Sequence, residues 1–218
     1  MIANHAPREL RRRLPRLLPG LVLCGVGIAS MVAADLGLSP WDVFHQGVAR
    51  RTGLPIGTVT ILVGLGVLAA WLPLRERPGV GTVCNVLVIG LVVDLTLLAL
   101  ETPEHLGLRV AMMAAGPLLF GVGSGLYIGA GLGPGPRDGL MTGLARRTGW
   151  SVGAIRTALE VGVLSGGWLL GGTVGVGTVL FALGIGPVVH LALRRLTVAD
   201  APDGVAAPTA GAVSDRAR

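Results

Sequence analysis

The chain is written twice. Ala34, Leu36, Gly37, Pro40, Asp42, Gly47 and Ala49 recur as Ala130, Leu132, Gly133, Pro136, Asp138, Gly143 and Ala145, an offset of 96 residues. The run Arg50-Arg51-Thr52-Gly53 recurs as Arg146-Arg147-Thr148-Gly149, and Gly79-Val80-Gly81-Thr82-Val83 as Gly175-Val176-Gly177-Thr178-Val179, at the same offset. No gap separates the matches, so one duplicated unit covers nearly the whole chain. A chain built this way must find a fold in which one pattern of apolar and polar residues is satisfied in two places. In membrane proteins such duplications often put a site where the halves meet.

Composition places the unit in lipid. The chain is 51% hydrophobic and only 14% charged, with a mean hydropathy of +0.72, against about 25% charged residues in soluble domains. Six stretches approach the roughly 20 residues a bilayer crossing needs: 17–35, 55–74, 80–101, 109–131, 151–172 and 175–194. The predicted fold is all-α and polytopic. Residues 1–16 form a basic cytoplasmic tail, 17–101 the first repeat with a short helix at 40–52, 109–195 the second with a short helix at 136–148, and 196–218 a disordered C-terminal tail. Three spans per unit is an odd number, so the second copy is expected upside down relative to the first, an inverted 3+3 repeat.

The formal net charge is +6 and all 18 basic residues are arginine. They flank apolar runs, which fits topology signals and lipid headgroups and not nucleic acid. With the N-terminus inside, the inner side collects Arg8, Arg11, Arg12, Arg13, Arg16, Arg75, Arg77, Arg137, Arg146, Arg147, Arg194 and Arg195. The outer side holds Arg50, Arg51 and Arg109. Both termini are therefore expected in the cytoplasm. The basic start and apolar first span resemble a cleaved signal, but 17–35 has a counterpart in 113–131 and so belongs to the fold.

Small residues repeat every four positions at Gly25, Ala29, Ala33 and Gly37, and again at Gly121, Gly125, Gly129 and Gly133. Such a stripe lets helix backbones approach, and close contact drives helix association where lipid supplies little hydrophobic force. It is expected on the axis between the halves or against a neighbouring span.

The repeated motif spells a capped helix. Ser39 suits the N-cap, Pro40 the first turn and Asp42 the third position. Arg50 and Arg51 suit the last turn and Gly53 the position beyond it. Gly135, Pro136, Asp138, Arg146, Arg147 and Gly149 repeat the scheme. About 13 residues cannot span, so each short helix is re-entrant or interfacial. Capping alone accounts for Asp42 and Asp138. The functional alternative is that Gly/Pro-interrupted segments at matching positions mark a transport site. Trp41, Phe44 and His45 become Arg137, Leu140 and Met141 in the second copy, so the two copies do not share one ligand role.

Charges inside spans are functional candidates. Arg156 and Glu160 stand four apart in the fifth span, either as an internal ion pair or as a proton or cation carrier tuned by arginine. Their first-copy equivalents are Thr60 and Gly64, and Gly64 leaves room for the pair. Asp94 and His190 are equivalents that suit span ends better than a relay. Asn85 is a further polar candidate in the third span. Cys24 and Cys84 read as buried thiols. Nothing has the spacing of a metal site, a catalytic triad or a glycosidase carboxylate pair, and the faint glycine loops near Gly121 and Gly129 follow no strand. An enzyme is not expected, and no cofactor is implied.

The sequence G-L-x-P-W-D at Gly37–Asp42, its echo G-L-G-P-G-P-R-D at Gly131–Asp138 and the six-span layout resemble the YczE-type membrane proteins, relatives of the YitT group, over roughly 17–196. The resemblance implies a bacterial inner-membrane protein and brings no substrate or reaction, so no catalytic residue is carried over. The expected partners are the bilayer and a small solute or ion, with a homo-oligomer compatible. The first expectation for function is a small secondary transporter or permease, with Asp42, Asp138, Arg137, Arg156 and Glu160 as substrate-binding residues. The alternative is a membrane scaffold or accessory protein that does not transport.

Overall fold

The computed structural model describes residues 7–196. Within them lie eight helices and no strand: α1 Pro7–Ala34, α2 Pro40–Thr52, α3 Ile56–Leu74, α4 Val80–Leu97, α5 Leu106–Gly129, α6 Pro136–Thr148, α7 Val152–Leu169 and α8 Val176–Leu196. Both short helices have the bounds the duplicated motif predicts. Ser39 accepts from the backbone N–H of Asp42, and Gly53 and Gly149 close the two helices at φ 74° and 75°. That left-handed conformation costs glycine least.

Five helices are long and apolar enough to cross a membrane by length and composition: Arg13–Ala34 within α1, then α3, α4, α5 and α8. Helix α7 is not among them, because Arg156, Glu160 and a Ser-Gly-Gly run dilute its apolar content. The N-terminal end also differs from expectation. Residues from Pro7 onward are the first turns of α1, not a tail, despite Pro15 and Pro19 inside the helix. Arg13 is buried and donates to Ala130 O at 3.2 Å, which ties this end of α1 to the second copy. The expected C-terminal tail beyond Leu196 lies outside the described residues.

The long helices meet where glycine removes the side chain. Helix α1 packs along α5. A Cβ on Gly27 would lie 2.6 Å from Gly116 O, and one on Gly123 would lie 2.5 Å from Gly20 O. Gly20 and Gly27 become Gly116 and Gly123 at the repeat offset, so the pair Gly20–Gly123 turns into Gly116–Gly27 when the copies are exchanged. These glycines, spaced by seven, line the α1–α5 contact. The stripe read every four residues faces the neighbouring span instead: Gly25 abuts Val92 of α4, and Gly121 and Gly125 abut Val188 and Ala192 of α8. That face is the other side of the same helices.

Exchange of copies recurs in the loops. Gly81 N–H donates to Leu132 O and Gly177 N–H to Leu36 O, both at 2.8 Å. Arg109 donates to Ala34 O at 2.7 Å as Arg13 does to Ala130 O. Each short helix packs on the opposite half, α2 on α7 and α6 on α3. The filling differs, however. Trp71 of α3 covers Gly139 of α6, its indole N–H donating to Pro136 O at 3.0 Å. At the equivalent junction Gly167 of α7 admits the backbone of Val43 and Phe44. The large residue has changed sides.

The halves part company in one further place. Helix α3 is packed on α4, with Gly57 against Gly90, whereas α7 stands off α8. Asp94 makes the difference. Its carboxylate accepts from Gly57 N–H at 2.6 Å and from the Thr58 hydroxyl at 2.9 Å, capping α3. The equivalent His190 is exposed on α8. Asp94 and His190 therefore form no relay.

Candidate functional site

The candidate site grows from the first turn of α2. Trp41, Asp42 and His45 are all buried there. The Ser39 hydroxyl donates to Asp42 Oδ2. Asp42 Oδ1 faces His45 Nδ1 at 3.4 Å and Arg137 Nη2 at 4.0 Å without a hydrogen bond to either. The Thr60 hydroxyl donates to Ile56 O at 2.9 Å and lies 3.2 Å from His45 Nδ1. A hydroxyl has one proton, so the Thr60 contact to Nδ1 donates or accepts according to the imidazole tautomer.

Arg137 comes from the first turn of α6, in the other copy. Its guanidinium stands over the Trp41 ring, 4.7 Å from the centroid, and is 31% exposed. A cation over an indole face beside a buried carboxylate is held by both quadrupole and charge. The Trp41 indole N–H is buried and unpartnered. So two polar atoms at this junction, Trp41 Nε1 and Asp42 Oδ1, have unused capacity.

The remaining candidates lie around the same arginine. Asp138 follows it in α6, exposed, with Gly135 between its carboxylate and the Tyr127 hydroxyl. Arg156 and Glu160 pair at 2.9 Å on α7 and are 45% and 34% exposed. Glu160 acts electrostatically on Arg137, and Arg156 on Asp138. Arg137 meets Asp42 across the copies, and Arg156 and Glu160 pair with each other on α7. Gly64 takes no part: it faces Val86 of α4.

Several contacts here escape a reading of the sequence. The Trp41–Arg137 stack joins residues at equivalent places in the motif, which the copies fill differently. His45–Thr60 joins α2 to α3. Arg13 and Arg109 do share the repeat offset, and that signal marks them as structural partners of the opposite copy. Cys24 is buried against Phe120 O and Ser124 and is a free thiol, as is Cys84. Among the described residues no group of His, Cys, Asp and Glu could hold a metal ion.

Apolar helices matched across two copies, five of them long and apolar enough to cross a bilayer, define a polytopic helical membrane protein. The chain belongs to the family of unknown function DUF6198, whose model matches residues 11–194. It is 43% identical over 178 residues to an uncharacterized protein of Haemophilus influenzae, covering 82% of each chain. It is 32% identical over 190 residues to the uncharacterized membrane protein YczE of Bacillus subtilis, covering 86% of this chain and 88% of that one. The uncharacterized protein YyaS of Bacillus subtilis is 24% identical over 79% of this chain and 88% of its own. No solved structure matches.

Proposed function

We propose that this protein is a small secondary transporter or permease of the bacterial inner membrane, with its site where the two repeats meet. The two copies are inverted, α7 serves as the sixth span, and both termini are cytoplasmic. The observation that carries the reading is Arg137, which crosses from the second copy to Trp41 and Asp42 of the first. A charged junction of this kind inside an apolar bundle is costly unless a solute or its coupling ion uses it. The exposed Arg156–Glu160 pair on the loosely packed α7 supports the same view, since charged groups do not face lipid without reason. A small charged solute would exchange with these internal partners.

A second reading has its own support. The α1–α5 contact is sealed by glycine, and Asp42 accepts from Ser39 at the start of α2. These favour a non-transporting scaffold or accessory protein. Uptake by vesicles containing the protein, with thermal-shift screening of small solutes, separates the two. Under the transport reading some solutes shift the melting of the parent, and Glu160→Gln alters that response. No response in either form moves the conclusion to the scaffold.

A further inference from the structure

The turn after α3 departs from its symmetry equivalent. Arg75 caps α3 in the left-handed conformation, φ +56°, one of two non-glycine residues with positive φ among those described. Its repeat equivalent is Gly171, at φ +95°. The fold therefore needs a left-handed residue at both places, and glycine is the unstrained choice. At one place it carries an arginine instead. Strain kept where a symmetric copy avoids it points to use of the side chain.

The surroundings say what the use is. Arg75 borders an open cavity of about 330 Å³ with Pro73, Leu74, Gly143, Arg146 and Arg147. Three arginines line it. Arg146 is paired with Glu76 at 2.6 Å and Arg147 donates to Pro73 O at 3.0 Å, while the Arg75 side chain makes no ion pair or hydrogen bond with the described residues. One carboxylate faces three cations, so the cavity keeps a positive excess. The equivalent residues at the α2–α7 junction are engaged with backbone instead. There Arg50 donates to Gly171 O and to Thr173 Oγ1, Arg51 donates to Leu170 O, and Gly172 stands in place of Glu76. Gly47, the equivalent of Gly143, is pressed on Gly167 and Leu170.

We infer that the Arg75–Arg146–Arg147 corner binds a phosphate oxyanion, supplied by the headgroup of an anionic phospholipid. Guanidinium forks match phosphate oxygens in charge and geometry. Leu72, 79% exposed one turn before Arg75, offers the apolar surface an acyl chain would cover. A helix end lies at headgroup level, and anionic lipid is concentrated on the cytoplasmic leaflet, the side the arginine distribution assigns to this corner. The same chemistry would accept a soluble phosphate, so the source has to be tested.

The test is thermal unfolding of the full chain in neutral detergent, with phosphatidylglycerol, phosphatidylcholine or inorganic phosphate added. Phosphatidylglycerol should raise the melting temperature by several degrees and phosphatidylcholine should not. Arg75→Gly restores the unstrained residue, so it should melt no lower than the parent without lipid while losing at least half of the lipid shift. Arg147→Gln reports on the same cavity should Arg75→Gly misfold. A shift with inorganic phosphate alone keeps the oxyanion site and overturns the lipid as its source. Equal shifts with both lipids, or a full phosphatidylglycerol shift in both variants, overturn the site.

Discussion

The exchange of bulk between Trp71 and Gly139 on one side and Gly167 and Val43 on the other makes a sharp prediction. Val43 is the repeat equivalent of Gly139, and Gly167 that of Trp71. Gly139→Val installs the first-copy residue in the second copy. A Cβ there would meet the Trp71 ring, with Cη2 at 2.5 Å and Cε2 at 2.7 Å. Trp71 is 1% exposed and cannot swing into open space. Overpacking of a tight core costs about 1–3 kcal/mol. Displacing the indole from Pro136 O strands a buried donor for about 1–3 kcal/mol more. The single variant should therefore lose roughly 2–6 kcal/mol. Trp71→Gly alone should lose about 4–6 kcal/mol, from the cavity and the helical glycine together. In the Trp71→Gly background the clash is gone and valine occupies part of the void, so adding Gly139→Val should cost nothing further. Unfolding by titration with a denaturing detergent in mixed micelles, followed by far-ultraviolet circular dichroism, measures all four corners of the cycle. A coupling of at least about 2 kcal/mol is expected for residues in such contact. Were Gly139→Val equally damaging with and without Trp71, the two positions would not be packed together and the account of the α3–α6 junction would fail.

Two further outcomes are expected. Asp94→Ala should destabilise the protein by about 1–3 kcal/mol by leaving Gly57 N–H and the Thr58 hydroxyl without their acceptor, and His190→Ala should change little by the same unfolding assay. In a background with Cys24 and Cys84 replaced by alanine, cysteines placed at Arg51 and at Arg147 should label from opposite sides of the membrane, and labelling of both from one side would refute the inverted arrangement.

The helices were legible because their ends are written in short-range chemistry. Ser39, Pro40 and Asp42 satisfy the free N–H groups of a helix start, and Gly53 and Gly149 supply the left-handed residue beyond its end. These are local requirements, so α2 and α6 appear at the expected bounds. Span ends drifted by a few residues, since apolar runs continue past the last helical turn. Helix α1 runs back to Pro7, and Arg13 within it gains a carbonyl partner in the other copy, a contact that no local pattern announces.

The sequence alone determined that there are two copies, that they are helical and apolar, and which residues carry charge. Those properties follow from composition and from interactions within a few residues. The tertiary structure decided which face of α1 meets α5, that Gly64 turns to α4, that Asp94 caps a helix and that Arg137 reaches across to Trp41. Each depends on how two matched but unequal surfaces interlock, and a pattern read along one chain contains no term for the surface it will meet.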